Sequence, residues 1–492
     1  MRIDLQQPPP QARTLEEAQA LINELWSLLR ALVSQNQEQA QLLEKQAHLI
    51  EEQSKRIELL EEKLRTNSRN SSQPPSVDSH RPPASKPPTG RKRGAQPGHP
   101  GKARTLLPPE QVTHARDCKP GPCRACGAKV RLTGLLARHQ VIDLPSMAPV
   151  VTEYRLFAGR CSACGHACEA SLPPSVSSRM TGPRLLAAIG ALTGAYHLSK
   201  RQVQGLLADL FGIELSVGAI SEGEAEIGAA LAGIVAEAHA HVQAAPVVHA
   251  DETGHKQCGA RHWLWLVATQ CVAVFLADAT RSTQAARSAL GDGFAGILVS
   301  DRYGAYAWVD QERRQLCWAH LLRDFTKMAQ RSGASSRIGD ELIATTQRMF
   351  ACWHRVRDGT LSRKAFGFDM PVLRHRIEKL LQQGAACRHA ETARTCRHIL
   401  KLRHALWTFL DTPAVEPTNN HAERTLRSFV IWRKISFGTQ SGRGSRYVER
   451  IMTVVGSCKL QGRNLLDFLT QAIQAHWGKG GTPSLLPSPL AG

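Results

Sequence analysis

The chain has 492 residues, a length that suggests about three domains. Its 62 Lys and Arg against 42 Asp and Glu give a formal net charge of +20, which favours a polyanionic partner such as nucleic acid. The first residues lack the apolar stretch of a signal peptide, and the most apolar window, residues 263–277, is too short to span a bilayer. Thirteen cysteines, an odd number, argue against a disulfide framework. We therefore expect a cytoplasmic protein with no membrane partner.

A seven-residue apolar repeat occupies residues 15–65, which contain no Gly or Pro and follow a stretch, residues 1–14, expected to be disordered. The positions at this spacing are Ile22, Leu29, Asn36, Leu43, Ile50, Ile57 and Leu64. The pattern predicts a coiled coil, and hence a homo-oligomer such as a dimer, with Asn36 setting the register. A single long helix packed on its own domain is the alternative.

Residues 66–112 are rich in Pro, Ser and basic side chains and cannot bury enough apolar surface to fold alone. The basic end of this linker includes Arg91, Lys92 and Arg93, which are candidates for contacts with DNA phosphates or a minor groove. A solvated linker that contacts no DNA fits the same composition equally well.

Two Cys-x-x-Cys-Gly motifs lie within residues 113–175. The four cysteines are Cys123, Cys126, Cys161 and Cys164. Such paired motifs are typical of a zinc ribbon, in which four thiolates hold one structural Zn²⁺. Alternative ligands nearby in the sequence are Cys118, His166 and Cys168. The stretch between the motifs, from Val141 to Phe157, is expected to be a strand, and a redox pair or unligated core cysteines fit the matched motifs less well.

Residues 176–240 are predicted to form a helical domain. Ser199 caps a first amphipathic helix that ends at Gly212, and Ser216 begins a second helix after a short turn. This spacing suits a helix-turn-helix unit that binds DNA, with Lys200 and Arg201 as candidate contacts. Helical hairpins that bind nothing share the same spacing.

Two apolar runs are each followed by an aspartate. Asp251 follows a buried strand that we expect Gly254 to end, and Asp301 follows the run from Gly296. Two further strand-like runs lie between them, at residues 263–268 and 272–277. A third acid, Glu423, lies at a predicted helix start after an Asn cap. Three carboxylates of this kind are typical of a two-Mg²⁺ phosphoryl-transfer site, although a turn-forming Asp is the commoner reading of either aspartate alone.

The rest of the chain separates or follows these acids. Residues 330–412 are predicted to form a helical insertion, and residues 432–446 a basic, Gly-rich loop suited to close approach to phosphates. Cys317 and His320 are three residues apart, but no second pair lies at a suitable distance, so packing or phosphate contact by His320 is favoured over a metal. The tail after Gly478 is expected to be disordered.

The motifs follow one another in a specific order. They are the coiled coil, Asn-Ser-x-Asn-Ser-Ser-x-Pro-Pro-Ser, Gly-Ala-Gln-Pro-Gly-His-x-Gly, the paired cysteine motifs, His-Ala-Asp-Glu-Thr, Ser-Asp-x-Tyr-x-Ala-Tyr, Cys-Trp-Ala-His and Asn-Asn-x-Ala-Glu-Arg-x-Leu-Arg. In this order the chain resembles, from about Leu15 to Trp477, the transposases of the insertion sequence 66 family, bacterial mobile-element enzymes of the DDE class. One departure is Gly-Ala-Gln-Pro where Gly-Gly-Gln-Pro is commoner, and it affects no candidate catalytic residue.

The resemblance implies a multidomain α/β protein. Its parts are the N-terminal coiled coil, the zinc ribbon, the helix-turn-helix-like helical domain and a ribonuclease-H-like mixed-sheet catalytic core. The core would comprise residues 241–329 and 413–477, interrupted by the α-helical insertion at residues 330–412, with a disordered tail at residues 478–492.

The resemblance also implies a function. It places the family's three acids on Asp251, Asp301 and Glu423, which would hold two Mg²⁺ ions, with Mn²⁺ as a substitute. The enzyme would bind terminal inverted repeats, cleave DNA at the element's ends and join the 3′-hydroxyl to target DNA in the bacterial cytosol, at the nucleoid. Phosphate contacts are expected from Arg424, Arg427, Lys434 and Arg443. Relatives usually work beside small accessory proteins of the same element, and the alternatives are an inactive DNA-binding regulator or a nuclease without strand transfer.

Overall fold

A computed structural model describes residues 11–67, 70, 105–145, 147–174, 176 and 179–487 as a mixed α/β protein. The strands are β1 (Ala158–Arg160), β2 (Ala167–Glu169), β3 (Val247–Gln257), β4 (Ala260–Ala268), β5 (Ala273–Asp278), β6 (Ile297–Ser300) and β7 (Arg314–Leu316). The α-helices are α1 (Leu15–Arg65), α2 (Pro183–Gly194), α3 (Lys200–Phe211), α4 (Val217–Ala230), α5 (Ala232–Gln243), α6 (Thr283–Leu290), α7 (Trp318–Ala329), α8 (Gly333–Arg357), α9 (Arg363–Ala385), α10 (Ala390–Lys401), α11 (Thr408–Asp411), α12 (Asn420–Ser436), α13 (Gly442–Gln461) and α14 (Leu465–His476). Two compact units result, residues 1–79 with 319–401, and residues 80–318 with 402–492.

The first unit begins with α1, a single helix of 51 residues. Thr14 caps it, because its hydroxyl accepts the N–H of Glu17 at 3.2 Å. The apolar residues of the heptad repeat are exposed along this helix, Leu43 by 65 % and Ile50 by 63 %. The predicted helix is confirmed, whereas pairing with a second copy stays a prediction.

The same unit contains the helical insertion, formed by α8, α9 and α10, with most of α7. Its bounds differ from the predicted 330–412, because the compact unit takes in residues 319–401. Residues 402–412 belong to the second unit, where the N–H of Phe409 donates to Gln315 at 2.8 Å and the indole of Trp318 donates to the carbonyl of Leu406 at 2.9 Å. Near its C-terminal end, α1 contacts the insertion through Glu62, whose carboxylate lies 2.7 Å from Arg331.

The second unit is built on a five-stranded mixed sheet in the order β5-β4-β3-β6-β7. β3 pairs antiparallel with β4 and β4 with β5, whereas β3 pairs parallel with β6 and β6 with β7. The predicted strands are confirmed, but Gly254 does not end β3. It pairs with Trp263 inside the β3–β4 hairpin, and the turn comes at Cys258 and Gly259, both with positive φ. Asp251 therefore lies within a strand, because the pairing of β3 with β4 continues beyond Gly254.

Strand β5 forms one edge of the sheet, and α13 covers it. The N–H groups of Ala273, Phe275 and Ala277 donate to Ser457, Thr453 and Glu449 at 3.0, 3.0 and 2.6 Å. These three acceptors are four residues apart and so lie on one face of the helix. They satisfy backbone donors that an open edge would expose to another strand.

The helices predicted within residues 176–240 are confirmed and correspond to α2 to α5. Ser199 and Gln202 form a capping box at the start of α3, Gly212 ends that helix at φ 63°, and Ser216 caps α4. The hydroxyls of Thr193 in α2 and Tyr447 in α13 are hydrogen-bonded at 2.7 Å, both buried. This bond joins the helical domain to the helices that cover the sheet.

Two sequence predictions about irregular segments are wrong. No strand forms in the described part of Val141–Phe157; instead β1 and β2 flank the second cysteine motif and pair with each other. Apolar alternation alone does not make a strand, since the backbone also needs a partner. The tail is not disordered throughout, because Leu485 is fully buried and its carbonyl accepts a hydrogen bond from the side-chain amide of Gln461 at 2.6 Å.

Among the described residues, none of the helices has the length and the apolar composition that spanning a membrane requires.

The segment after α12 is fixed against the tip of the β3–β4 hairpin. Thr439 donates its N–H to the carbonyl of Lys256 at 2.9 Å and accepts the N–H of Cys258 at 2.8 Å. Gly438 has φ 102°, and a Cβ atom added there would lie 2.3 Å from the carbonyl oxygen of Lys256. Only glycine allows this close approach with that backbone conformation.

We predict that Gly438→Ala breaks this attachment at a cost of about 1–3 kcal/mol. Amide hydrogen exchange at Cys258, whose N–H is bonded to Thr439, should become faster. Gly442→Ala in the first turn of α13 is the matched control, since its added methyl meets only Arg446 at 3.5 Å. Unchanged exchange at Cys258 in the Gly438 variant would contradict the prediction.

Candidate functional site

The parallel pairing of β3 with β6 places two aspartates side by side. Val247, Val248 and His249 pair with Ile297, Leu298 and Val299, respectively. Two residues further along each strand, the same register sets Asp251 beside Asp301, the residue that directly follows β6. Because side chains of parallel strands in register point to the same face, both carboxylates belong to one face of the sheet.

The third candidate acid, Glu423, lies in the first turn of α12, a helix that packs against β3. Asn419 immediately precedes the helix and is 2 % exposed. Its side-chain amide donates to the carbonyl of Ala250 at 2.7 Å, and its backbone N–H donates to the sulfur of Cys317 at 3.2 Å. The side chain predicted as a helix cap makes no capping bond and instead ties the helix to the strand of Asp251. Glu423 lies one turn beyond this attachment.

A histidine completes the attachment. Nδ1 of His249 lies 3.0 Å from the side-chain oxygen of Asn419, and the ring of His421 lies 5.0 Å from that of His249. Burial, followed by the nearby positive charge of His421, lowers the pKa of His249 to about 4. His249 is therefore neutral near pH 7, with Nδ1 as the donor to Asn419.

The charges that act on Asp251 include those of the other two candidate acids. Burial raises the pKa of Asp251 well above its usual value, and the charges of Glu252, Asp301 and Glu423 raise it further. The N–H of Glu252, 2.9 Å from Asp251 Oδ1, acts in the opposite direction. A cation held among these carboxylates would favour their ionised form. The donor set, all carboxylate oxygen, fits a hard divalent ion such as Mg²⁺.

The neighbouring acid Glu252 points to the opposite face of β3, and sequence reasoning gave it no role. It is buried, accepts the Nε–H of Arg281 at 2.8 Å and accepts the hydroxyl proton of Tyr306. The guanidinium of Arg281 lies 3.7 Å from the ring centroid of Tyr303, whose hydroxyl donates to the Arg281 carbonyl at 2.6 Å. This network holds the residues around Asp301, whose carboxylate accepts the N–H of Tyr303 at 2.8 Å. Two tyrosines three apart, just after Asp301, were the available sequence signal.

The structure distributes the predicted DNA-contacting residues unevenly. Arg424, Arg427 and Lys434 are exposed on α12, and Arg443 is exposed at the start of α13. The predicted loop at residues 432–446 is largely helical, with only residues 437–441 connecting the two helices.

The remaining basic candidates lie elsewhere. Lys200 is held by Glu224 at 2.9 Å and Ser221 at 2.8 Å, so its ammonium group is already engaged within the helical domain. Arg201, in contrast, is exposed. The three linker candidates Arg91, Lys92 and Arg93 lie outside the described residues.

The two cysteine motifs fold alike. Gly127 donates its N–H to the carbonyl of Cys123 at 2.7 Å, and Gly165 donates to Cys161 at 2.9 Å, each glycine at φ 73°. Hydrogen bonds from the backbone N–H groups of Ala125 and then Cys126 lower the pKa of the Cys123 thiol.

The second motif repeats this chemistry. Bonds from the N–H groups of Cys164 and then Ala163 lower the pKa of Cys161. Each motif thus favours thiolates, the form that binds zinc. Among the described residues, the structure does not gather the two pairs into one cluster of three or more ligands, so the shared Zn²⁺ site stays a prediction.

Comparison with known proteins identifies two families along the chain. The family described as "Transposase IS66 family" matches residues 178–447, more than half of the chain. This match contains the helical domain, the three acids and the helical insertion. A family described as of unknown function matches residues 7–105, the region of α1 and the linker.

Similar proteins occur in Sinorhizobium fredii. "Uncharacterized protein y4qI" is 30 % identical over 214 residues, which are 40 % of this chain and 39 % of that protein. "Uncharacterized protein y4hP" is 24 % identical over 378 residues, 69 % of this chain and 68 % of that protein. The chain thus spans about two fifths of the first relative and about two thirds of the second.

We predict that Asn419→Ala loosens the third acid. The change leaves the buried carbonyl of Ala250 without its donor, which costs about 1–3 kcal/mol, and frees the start of α12 from β3. Binding of Mn²⁺, followed by electron paramagnetic resonance, should weaken about tenfold, as for other residues that orient metal ligands. The matched control is Asn420→Ala, an exposed neighbour of the same type. Equal Mn²⁺ affinity in the two variants would show that Asn419 does not position the site.

Proposed function

The chain belongs to the transposase IS66 family, and on that premise we propose that it is a DNA transposase with a ribonuclease-H-like core. It binds the terminal inverted repeats of an insertion sequence, cleaves DNA at the element's ends and joins the freed 3′-hydroxyl to target DNA. The observation that carries this proposal is the β3–β6 register, which sets Asp251 beside Asp301. The Asn419 attachment supports it, because it ties the helix of Glu423 to the strand of Asp251. The strand order, three antiparallel strands followed by two parallel ones, supports the assignment of the core.

In the first chemical step, water attacks the phosphorus at the element's end. The bond from phosphorus to the 3′-oxygen breaks, and that oxygen leaves as a hydroxyl after gaining a proton. In the second step, this 3′-hydroxyl attacks a phosphorus of target DNA, forming a new phosphodiester while the target's own 3′-oxygen departs. Both steps are in-line displacements that depend mainly on positioning and on neutralising charge.

The chain's residues divide this work. Asp251, Asp301 and Glu423 would hold Mg²⁺, which supplies charge neutralisation at the reacting phosphate. Asn419 fixes the helix of Glu423 against the strand of Asp251. Arg424, which is next to the third acid and exposed, would contact a nonbridging phosphate oxygen.

Other parts of the chain have roles outside the chemistry. The exposed heptad positions of α1 support a homodimer through a coiled coil, which would bring two active sites to two element ends. The cysteine motifs would hold one structural Zn²⁺, and with the helical domain they would bind the terminal repeats.

The test of the proposed activity is cleavage and joining of a labelled duplex that carries the element's terminal repeat, with Mg²⁺ or with Ca²⁺. Wild-type protein should nick the end and produce joined product only with Mg²⁺. Asp301→Asn and Glu423→Gln should each lower the rate by about a hundredfold or more, because each removes a charged cation ligand. Asp310→Asn, an exposed aspartate away from the site, should leave the rate unchanged.

Other outcomes would replace the proposal. Nicking without joined product would indicate a nuclease, and binding without cleavage a regulator or a missing accessory protein. Adding the neighbouring proteins of the element separates the last two. Wild-type rates in Asp301→Asn would remove that residue from the catalytic set.

For the zinc site, we predict one Zn²⁺ per chain by mass spectrometry of the native protein. Cys161→Ser should lose the ion and weaken binding to terminal-repeat DNA, since Cys161 is a thiolate-favouring member of the second motif. Cys258→Ser, an exposed cysteine in the β3–β4 turn, is the control and should keep the ion. Full zinc content in Cys161→Ser would contradict the four-cysteine assignment.

A further inference from the structure

An exposed aromatic ring stands at the far end of the helix that carries the third acid. Phe437, the residue that caps the C-terminus of α12, is 82 % exposed and adopts φ 59°. Left-handed backbone at a helix end is the usual place of glycine, and a bulky residue there costs conformational energy. Because the phenyl ring is exposed to water, it buries no apolar surface that would offset this cost. The stability of the fold therefore does not explain why this residue is a phenylalanine.

The backbone around this residue is nevertheless fixed. Phe437 lies between the last turn of α12 and Gly438, whose close approach to the carbonyl of Lys256 attaches the segment to the β3–β4 hairpin. Thr439 adds two backbone hydrogen bonds to the same hairpin. Because the backbone that carries this exposed ring is already fixed, the segment loses little conformational entropy when a partner covers the ring.

The surface that leads to this ring is basic. Arg424, Arg427 and Lys434 are exposed along α12, and Glu423 is the helix's only acidic residue. Ile431 and Ile435 are exposed between them by 46 % and 53 %. Cationic groups that follow a backbone, combined with an aromatic platform, are typical of surfaces that bind nucleic acid with unstacked bases.

The distance from the acids to the ring can be measured along two elements. From Glu423 to Phe437 the helical rise gives about 21 Å, and from Asp251 to Gln257 the strand rise gives about 20 Å. The two elements end together, because Gln257 forms a β-bridge with Thr439. This length equals about six base pairs of DNA at ~3.4 Å each.

We propose that Phe437 is a stacking platform for an unpaired base of the bound DNA, about six nucleotides from the phosphate that is cut. This inference rests on the proposed function and adds a binding site to it. Duplex DNA follows the basic side of α12, and the ring receives a base where the strands part or distort. The site reads distortion rather than sequence, since every base offers a flat face for stacking.

The test uses full-length protein and two fluorescently labelled duplexes of one sequence, fully paired or carrying a central unpaired 2-aminopurine. Wild-type protein should bind the distorted duplex more tightly and quench its 2-aminopurine. Phe437→Gly should lose about tenfold in affinity for the distorted duplex while changing its affinity for the paired duplex less than twofold. Phe437→Trp should retain both the preference and the quenching.

Two further measurements separate stacking from loss of structure. Phe437→Gly should unfold at the same temperature as wild type or higher, because glycine relieves the left-handed backbone. Phe368→Ala, which removes a phenylalanine that is 74 % exposed on α9, is the matched control and should bind both duplexes like wild type.

The outcomes distinguish this inference from the proposed function. Equal binding of both duplexes by wild type and Phe437→Gly would overturn the platform alone. Failure of wild-type protein to bind either duplex would overturn the transposase proposal as well. Altered self-association of Phe437→Gly in sedimentation, with DNA binding intact, would assign the ring to a protein contact and overturn the inference.

Discussion

The parallel pairing of β3 with β6 is the contact on which the candidate site depends. Side chains alternate between faces along a strand, so a slip of one residue would turn Asp251 to the opposite face and bring Glu252 in its place. The pairing ends at His249 and Val299, which leaves Asp251 and Asp301 just beyond the shared ladder. Pairing with β4 continues to Gln257, so Asp251 lies within a hydrogen-bonded strand rather than on a turn.

The two adjacent acids of β3, Asp251 and Glu252, have different hydrogen-bond partners and neighbours. Glu252 is buried and accepts hydrogen bonds from Arg281 and Tyr306, which offset only part of the rise in its pKa that burial and the charge of Asp301 cause. Burial, followed by the charges of Glu252, Asp301 and Glu423, raises the pKa of Asp251. Glu252 thus has a cationic and a hydroxyl partner on its face of the strand, whereas the charged neighbours of Asp251 are acids whose repulsion a divalent cation would relieve. This difference in hydrogen-bond partners is the reason to propose Asp251, and not its sequence neighbour Glu252, as a metal ligand.

Sequence reasoning succeeded where local chemistry decides the outcome. Capping residues such as Ser199 and apolar runs such as residues 297–300 produced the expected helix and strand. It failed where a distant partner decides: Gly254 continues a strand because β4 pairs with it, and Leu485 is buried because α13 provides a hydrogen bond near it. The role of Asn419 was hidden for the same reason, since a helix cap and a cross-link to a strand require the same residue type. The three acids were singled out because motif and apolar pattern coincide there, and their catalytic role stays a prediction.

Helix α12 combines three tasks whose physical demands conflict. Its first turn contains the candidate acid Glu423, and its exposed side carries cations. Phe437, which follows its last residue, adopts a backbone conformation that disfavours its own side chain. The attachment at Asn419 and the hydrogen bonds of Thr439 fix the helix at both ends, so that strain at Phe437 does not unravel it. A helix fixed at both ends in this way holds its two ends at a constant separation of about 25 Å. The distance between the proposed site of the reacting phosphate and the proposed stacking platform is then set by one rigid helix rather than by a flexible loop.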